Sequence, residues 1–275
     1  DFERLLDEDQ DSFAYNYQKD VKQKSQESKA FKVTGKMHKA DWTTAIQAIM
    51  NLDSLKLAAK KYNATITEYI GALLIYSIHL EYKLKEKNKK NKNRPIRLFV
   101  PVNVRKYFKS KTLRNFVLFI RTTSNLKDDV TLQDVVNHVK ETFKEEISKD
   151  QMLARLKTNM KLEKNVFVRF VPLFLKVLII RAVYKFIGTG SNTISLSNLG
   201  VVETPSEMVQ YVERFDFSNG ATIESPVNAS IATYNNQVVL TFSSRIIERV
   251  LQKRVIKLLI EDGVSLYVET NDLEV

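Results

Sequence analysis

The chain has 275 residues with 44% hydrophobic and 27% charged side chains, no cysteine, and 43 Lys and Arg against 32 Asp and Glu, a net charge of +11. With 15 Phe and 11 Tyr but only 7 Gly and 5 Pro, there is ample apolar surface to bury, which excludes a disordered, collagenous or low-complexity chain. The missing cysteines exclude a disulfide framework, a thiolate zinc site, an iron–sulfur cluster and a cysteine nucleophile, and fit a cytoplasmic protein.

The chain opens on Asp1 with a polar, acidic stretch to Asp11 and no apolar signal core, so a segment is expected to precede it. Residues 1–29 read as an extended arm or crossover, and residues 30–275 as one lobe. Phe31 and Val33, then Trp42 to Met50, predict strands separated by a turn at Lys39 to Asp41. Asp53 and Ser54 are expected to cap a short helix ending near Tyr62. Thr65-Ile66-Thr67-Glu68 forms a capping box, in which Thr65 and Glu68 satisfy each other's free backbone donors. The helix it opens is apolar almost all round to Leu84, which places it in the core.

Ile96 to Val102 and Asn115 to Thr123 suit buried strands, and Leu132 to Ile147 an amphipathic helix. Val166 to Ile187 predicts a second helix. It carries Arg169, Lys176, Arg181 and Lys185, and no uncharged apolar run reaches the length of about 18 residues that spanning requires. It is therefore expected to be packed in the protein, with a membrane-surface helix as the alternative. The period then switches to two over Thr193 to Ser197, Val209 to Phe217, Val227 to Tyr234 and Gln237 to Ser244. Asn235-Asn236 supplies a hairpin turn, because Asn tolerates positive φ. Ile246 to Asp262 reads as a helix stopped by Gly263, and Val264 to Glu269 as a last strand. The fold class is mixed α/β, a mixed β-sheet flanked by helices.

Candidate chemistry is sparse. Lys83 to Arg94 is a basic run without an aromatic to stack a base or an accompanying nucleic-acid motif, so a solvated helix end and loop is the plainer reading and nucleic acid is not the expected partner. The net charge favours an anionic partner such as a phosphate-bearing cofactor or a membrane surface. His38, His79 and His138 lack a catalytic neighbourhood, with His38-x-x-Asp41 the one local His and Asp pair. No metal spacing, phosphate loop or nucleophile elbow occurs. Two polar patches interrupt the strand patterns: Val100-Pro101-Val102-Asn103-Val104-Arg105 with Thr112-Leu113-Arg114-Asn115-Phe116, and Ser195-Leu196-Ser197-Asn198-Leu199-Gly200. Side chains bonding their own backbone would explain both.

In order and separation these stretches resemble the second half of the chloramphenicol-acetyltransferase-like and condensation-domain superfamily, in particular its bacterial alcohol acetyltransferase-like members. Thr65 to Tyr82 is similar to the family's long core helix, Arg97 to Arg105 to its R-x-x-V-P-V-N-x-R strand, Thr112 to Phe116 to T-L-R-N-F, and Ser197 to Gly200 to S-N-L-G. The family's His-His-x-x-x-Asp, whose second His is the general base, has no counterpart here. The resemblance therefore implies the C-terminal lobe of an acyltransferase, inactive without a missing N-terminal lobe. It also implies acetyl-CoA or another acyl-CoA as donor, an alcohol or amine as acceptor, and no metal. Asn115, Ser197 and Asn198 are the implied tunnel residues, Asn103 and Arg105 the structural or lobe-bridging ones. The competing expectation is a noncatalytic module or peripheral membrane protein that recognises an anionic lipid or carrier.

Overall fold

The computed structural model describes residues 6–17, 28–39, 42–108, 110–163, 171–183 and 190–272. In chain order the helices are α1 (Ser12–Tyr15), α2 (Leu52–Lys61), α3 (Ile66–Ile78), α4 (Lys89–Lys92), α5 (Arg105–Phe108), α6 (Leu132–Glu146), α7 (Lys149–Glu163), α8 (Leu173–Val183) and α9 (Val250–Glu261). The strands are β1 (Thr44–Asn51), β2 (Ile96–Asn103), β3 (Val117–Ser124), β4 (Ile194–Val201), β5 (Val227–Tyr234), β6 (Gln237–Ser244) and β7 (Leu266–Thr270). They form one sheet in the order β3-β2-β4-β5-β6-β1-β7. It is mixed: β2 with β4 and β4 with β5 run parallel, while β5 with β6, β6 with β1 and β1 with β7 run antiparallel.

The chain divides into two compact units, one made of Lys29–Val100, Arg121–Thr142 and Gly190–Val275, the other of Asp1–Ser28, Pro101–Ile120 and Phe143–Thr189. In the first, Asn235 and Asn236 take φ of 44° and 63°, the left-handed pair that a type I′ turn needs, and fix the register Tyr234 opposite Gln237. Both strands of this hairpin are buried almost along their whole length, so both faces of the sheet are covered there. The capping box forms as its sequence dictates, with the Thr65 amide donating to Glu68 Oε2 at 2.7 Å and the Glu68 amide to Thr65 Oγ1 at 3.3 Å. Helix α3 is buried nearly all round. Gly71 lets it approach the sheet, since a Cβ there would lie 2.9 Å from Leu98 Cδ2. Past Ile78 the helix widens into a π turn over His79–Lys83.

Several expectations are corrected. Helix α2 is capped by Asn51, whose Oδ1 accepts from the amides of Asp53 and Ser54 at 3.0 Å each; β1 runs straight into the helix, so its last residue takes the cap. Phe31 and Val33 are buried without belonging to a strand. Within Val209 to Phe217 there is no strand but the end of a 3-10 helix, Ser206–Tyr211, followed by irregular backbone. Its alternation reflects side chains laid over the sheet: Phe215 meets Tyr234 edge-on at 5.1 Å and Ser230 Oγ donates to the Phe217 carbonyl.

In the second unit the described elements are the arm residues 6–17, α5, α7, α8 and the adjoining ends of β2, β3 and α6. Helix α7 was not expected from the sequence, and its Met152, Leu153, Ala154 and Leu156 are buried. Phe13 of α1 stands edge-on to Phe116 at 4.9 Å. Of Val166 to Ile187, residues 166–170 and 184–187 lie outside the described residues; α8 occupies Leu173–Val183. It is not packed as expected: Leu173 and Phe174 are 76% and 66% exposed, and Leu178 and Ile179 are exposed as well. Among the described residues no helix is long and apolar enough to cross a membrane.

Candidate functional site

In the unit that holds β2's end, Arg105 draws the two parts of the first polar patch together. Its Nε and Nη2 donate to the Thr112 carbonyl at 3.2 and 3.1 Å, Nη2 also to the Arg114 carbonyl at 2.7 Å, and Nη1 to Asn103 Oδ1 at 3.2 Å. The same Asn103 oxygen accepts the Arg105 amide at 3.1 Å, an Asx turn that ends β2. The planar guanidinium thus closes the segment Thr112 to Arg114 onto the strand end, a fork geometry that lysine lacks. The arm holds the loop from the other side: Thr112 Oγ1 donates to the carbonyls of Glu8 and Gln10 at 3.1 and 2.8 Å, and the Leu113 amide to Glu8 at 2.8 Å. This leaves Asn115, next in sequence, exposed and without a hydrogen bond among the described residues. Arg105→Lys is expected to cost about 1.5 kcal/mol of stability, a loss of charge-assisted bonds rather than of charge, measurable by urea unfolding.

The second patch lies on β4, in the unit of the hairpin. Its Ile194 and Leu196 are buried while Ser195 and Ser197 share the other face, half-buried. Asn198 Nδ2 donates to Thr67 Oγ1 at 2.9 Å, tying the strand end to the first turn of α3, and its Oδ1 accepts the Gly200 amide at 2.8 Å. Gly200 has φ +78°, and the pairing of β4 with β5 slips between Asn198 and Val201. Ser-Asn-Leu-Gly is therefore a bulged strand end that requires glycine at its fourth position. The Ser197 hydroxyl has no hydrogen bond among the described residues.

Beside Ser197 is a polar cluster that the sequence did not bring together. Asn228 Oδ1 accepts from Ser195 Oγ at 2.7 Å and Ser225 Oγ at 2.9 Å, Asn219 Nδ2 donates to Ser195 Oγ at 3.1 Å, and Asn228 Nδ2 donates to the Gly220 carbonyl at 2.7 Å. Asn219 and Asn228 come from different segments around β5, and no local spacing signals their meeting on β4. Arg97, the first residue of the R-x-x-V-P-V-N-x-R stretch, is likewise inward: it is 2% exposed, with Nη1 donating to the Ser191 carbonyl at 2.8 Å and Nε to Thr123 Oγ1 at 3.1 Å.

The histidines take other roles. His38 Nε2 meets Thr44 Oγ1 at 2.9 Å, His138 Nε2 meets the Thr123 carbonyl at 3.1 Å, and Asp41 of the His38-x-x-Asp41 pair lies outside the described residues. His79 is buried in the π turn, where burial and then the charge of Lys83 push its pKa down, so it stays neutral. No group of acidic and histidine side chains among the described residues fits a metal. The basic run turns partly inward: Lys83 is buried, and Asn91 Nδ2 donates to the Lys32 carbonyl at 2.9 Å and to Glu86 Oε2 at 2.7 Å.

No family model matches the chain, and no curated protein matches it. Solved structures do. The epimerization domain from the third module of tyrocidine synthetase B superposes with a TM-score of 0.50 at 12% identity, covering 93% of this chain and 56% of that one. The nonribosomal peptide synthetase FmoA3 superposes with TM-scores of 0.53 and 0.51 in its α-methyl-L-serine-AMP and AMPPNP forms, at 10% and 11% identity, each covering 84% of this chain. The fold, a mixed sheet flanked by helices, is shared with these synthetase structures. The chain spans 24% of the FmoA3 structure and 56% of the epimerization domain, about half of the latter.

Proposed function

We propose that the chain is the C-terminal lobe of an acyltransferase that moves an acyl group from a CoA thioester to an alcohol or amine, and that it needs an N-terminal lobe carrying the general base. The observation that carries this reading is the bulged end of β4, where a half-buried Ser197 hydroxyl has no hydrogen bond among the described residues while Asn198 is consumed in holding the strand to α3. Charge develops on the carbonyl oxygen during acyl transfer, and a pre-positioned donor stabilises it without reorganisation. Ser197 is such a donor and Asn198 its positioning residue. Asn115 remains a candidate contact to donor or acceptor, and Asn103 with Arg105 hold the loop that presents it. The likeness to modules of multidomain synthetases supports a further domain as partner.

The test is turnover with acetyl-CoA and a series of alcohols and amines. The 275-residue chain alone is expected to be inactive and the product of the whole gene active. In the active protein, Ser197→Ala is expected to lower kcat by about 100-fold with KM little changed, the size of one lost oxyanion donor. Asn198→Ala is expected to lower kcat and stability together, and Asn198→Asp to retain part of both, since the Thr67 hydroxyl can donate to a carboxylate and the Gly200 amide keeps its acceptor. Unchanged turnover in Ser197→Ala would remove the role assigned to β4.

A further inference from the structure

Helix α9 does not lie flush on the sheet edge. Between its outer side and strands β1 and β7 runs a groove of about 640 Å³, far from apolar saturation at its rim but almost wholly apolar along its walls. Ile256 and Ile260 line it from the helix, Ile46 and Val268 from the strands. Size and lining are those of small-molecule sites, which are mostly apolar with a few placed polar groups.

Two polar features in this groove are unaccounted for by the fold. Gln252 lines it, is 1% exposed, and neither its Oε1 nor its Nε2 has a hydrogen-bond partner among the described residues. Leaving both ends of a buried amide unpaired costs about 1–3 kcal/mol per group, so such a side chain is expected to meet a ligand or water. The rim is basic. Arg249 is paired with Asp272 and Lys257 with Glu261 at 3.7 Å, which leaves Lys253, exposed on the same side, as a cation with no partner among the described residues. Gln252 and Lys253 sit at one end of α9's groove-facing side and Ile260 at the other, about 12 Å apart along the helix at 1.5 Å per residue.

We infer that this groove binds a single-chain anionic amphiphile, its alkyl chain along Ile256, Ile260, Ile46 and Val268 and its carboxylate or phosphate head between Lys253 and the Gln252 amide. An anion is selected because the excess charge of the rim is positive, and a linear chain because Ile256 and Ile260 follow one another along the helix away from the Gln252 and Lys253 end. The head receives Gln252 Nε2–H and the Lys253 ammonium, both otherwise unused. This inference is independent of the acyl-transfer reading, since all the residues concerned belong to α9, β1 and β7.

The test is titration calorimetry of the full chain with decanoate and decyl phosphate, against methyl decanoate and decyltrimethylammonium, all below their micelle concentrations. Both anions are expected to bind saturably at one per chain, at least about tenfold tighter than the ester, and the ammonium not measurably; tenfold corresponds to about 1.4 kcal/mol. Lys253→Glu is expected to weaken both anions by about tenfold or more, and Ile260→Glu, at a position already 56% exposed, to abolish binding while thermal unfolding stays unchanged. Gln252→Leu is expected to weaken the anions and to raise the stability of the free protein. Binding of decanoate but not decyl phosphate assigns the head site to carboxylates. Equal affinity for the ammonium and the anions, no saturation, or an Ile260→Glu variant that binds like the parent would overturn the inference.

Discussion

Arg97→Met is expected to destabilise the protein by about 2–3 kcal/mol, a shift of roughly 3–6 °C in the midpoint of thermal unfolding followed by circular dichroism. The side chain is almost completely buried and its guanidinium donates to the Ser191 carbonyl and to Thr123 Oγ1, while its own amide donates to Thr193 Oγ1 at 3.0 Å. These bonds join β2 to β3 and to the turn that leads into β4. Methionine fills much of the volume but supplies no donor, so the half-buried Ser191 carbonyl and the exposed Thr123 hydroxyl lose the charge-assisted bonds that tie them to β2. Arg97→Lys is expected to recover only part of the loss, because one ammonium cannot reach both acceptors in the guanidinium's plane. A loss below 1 kcal/mol for Arg97→Met would show that these contacts contribute little.

Glu81→Gln is the second large effect, expected at about 2–3 kcal/mol near neutral pH and absent in acid. Glu81 sits in the π turn after α3 with its side chain 8% exposed. Arg254 of α9 donates to its Oε1 through Nε at 2.6 Å and also through Nη2, and Lys85 Nζ donates to Oε2 at 2.6 Å. Burial raises the carboxyl's pKa, but the hydrogen bonds and charges of Lys85 and Arg254 oppose it and win, leaving the folded-state value below the ordinary one. The sign follows: stability from this group is fully present above the unfolded pKa, about 4.3, and is lost as pH falls through the lower folded value. Urea unfolding of parent and variant at a series of pH values is therefore expected to give curves that differ near neutrality, draw together as pH falls below about 4.3 and meet only below the lowered folded-state value. Parallel curves at all pH values would mean that the packing of the turn, rather than the ion pair, carries the difference.

The site was legible in pieces. Thr65 with Glu68, Asn235 with Asn236 and Gly263 each carry their structural consequence within a few residues, so capping box, hairpin turn and helix stop formed as their sequence dictates. The role of Asn103 was visible for the same reason, since an Asx turn needs only the residue two positions on. What Arg105 does was not, because its acceptors are the carbonyls of Thr112 and Arg114, reached only once the loop has folded back. Asn198 shows both cases in one side chain: Oδ1 serves its own turn, while Nδ2 meets Thr67 from a helix more than a hundred residues earlier. Residues 209–217 were misread because burial against a neighbour and membership of a ladder give the same alternation.

The composition by itself determined that this is a cysteine-free, basic globular chain, and hydrophobic period and local turn chemistry determined most of its helices and strands, because those signals act between residues one to four positions apart. The resemblance of four short stretches, in order, pointed to the fold that superposition on nonribosomal peptide synthetase structures shows. Only the tertiary structure decided the order β3-β2-β4-β5-β6-β1-β7, the inward turn of Arg97, the Ser195–Asn228 cluster and the groove along α9. The physical reason is common to all four: each depends on pairings between groups distant in sequence, made selective by the cost of burying polar groups without partners. That cost has no local signature in the chain and appears only where the folded elements meet.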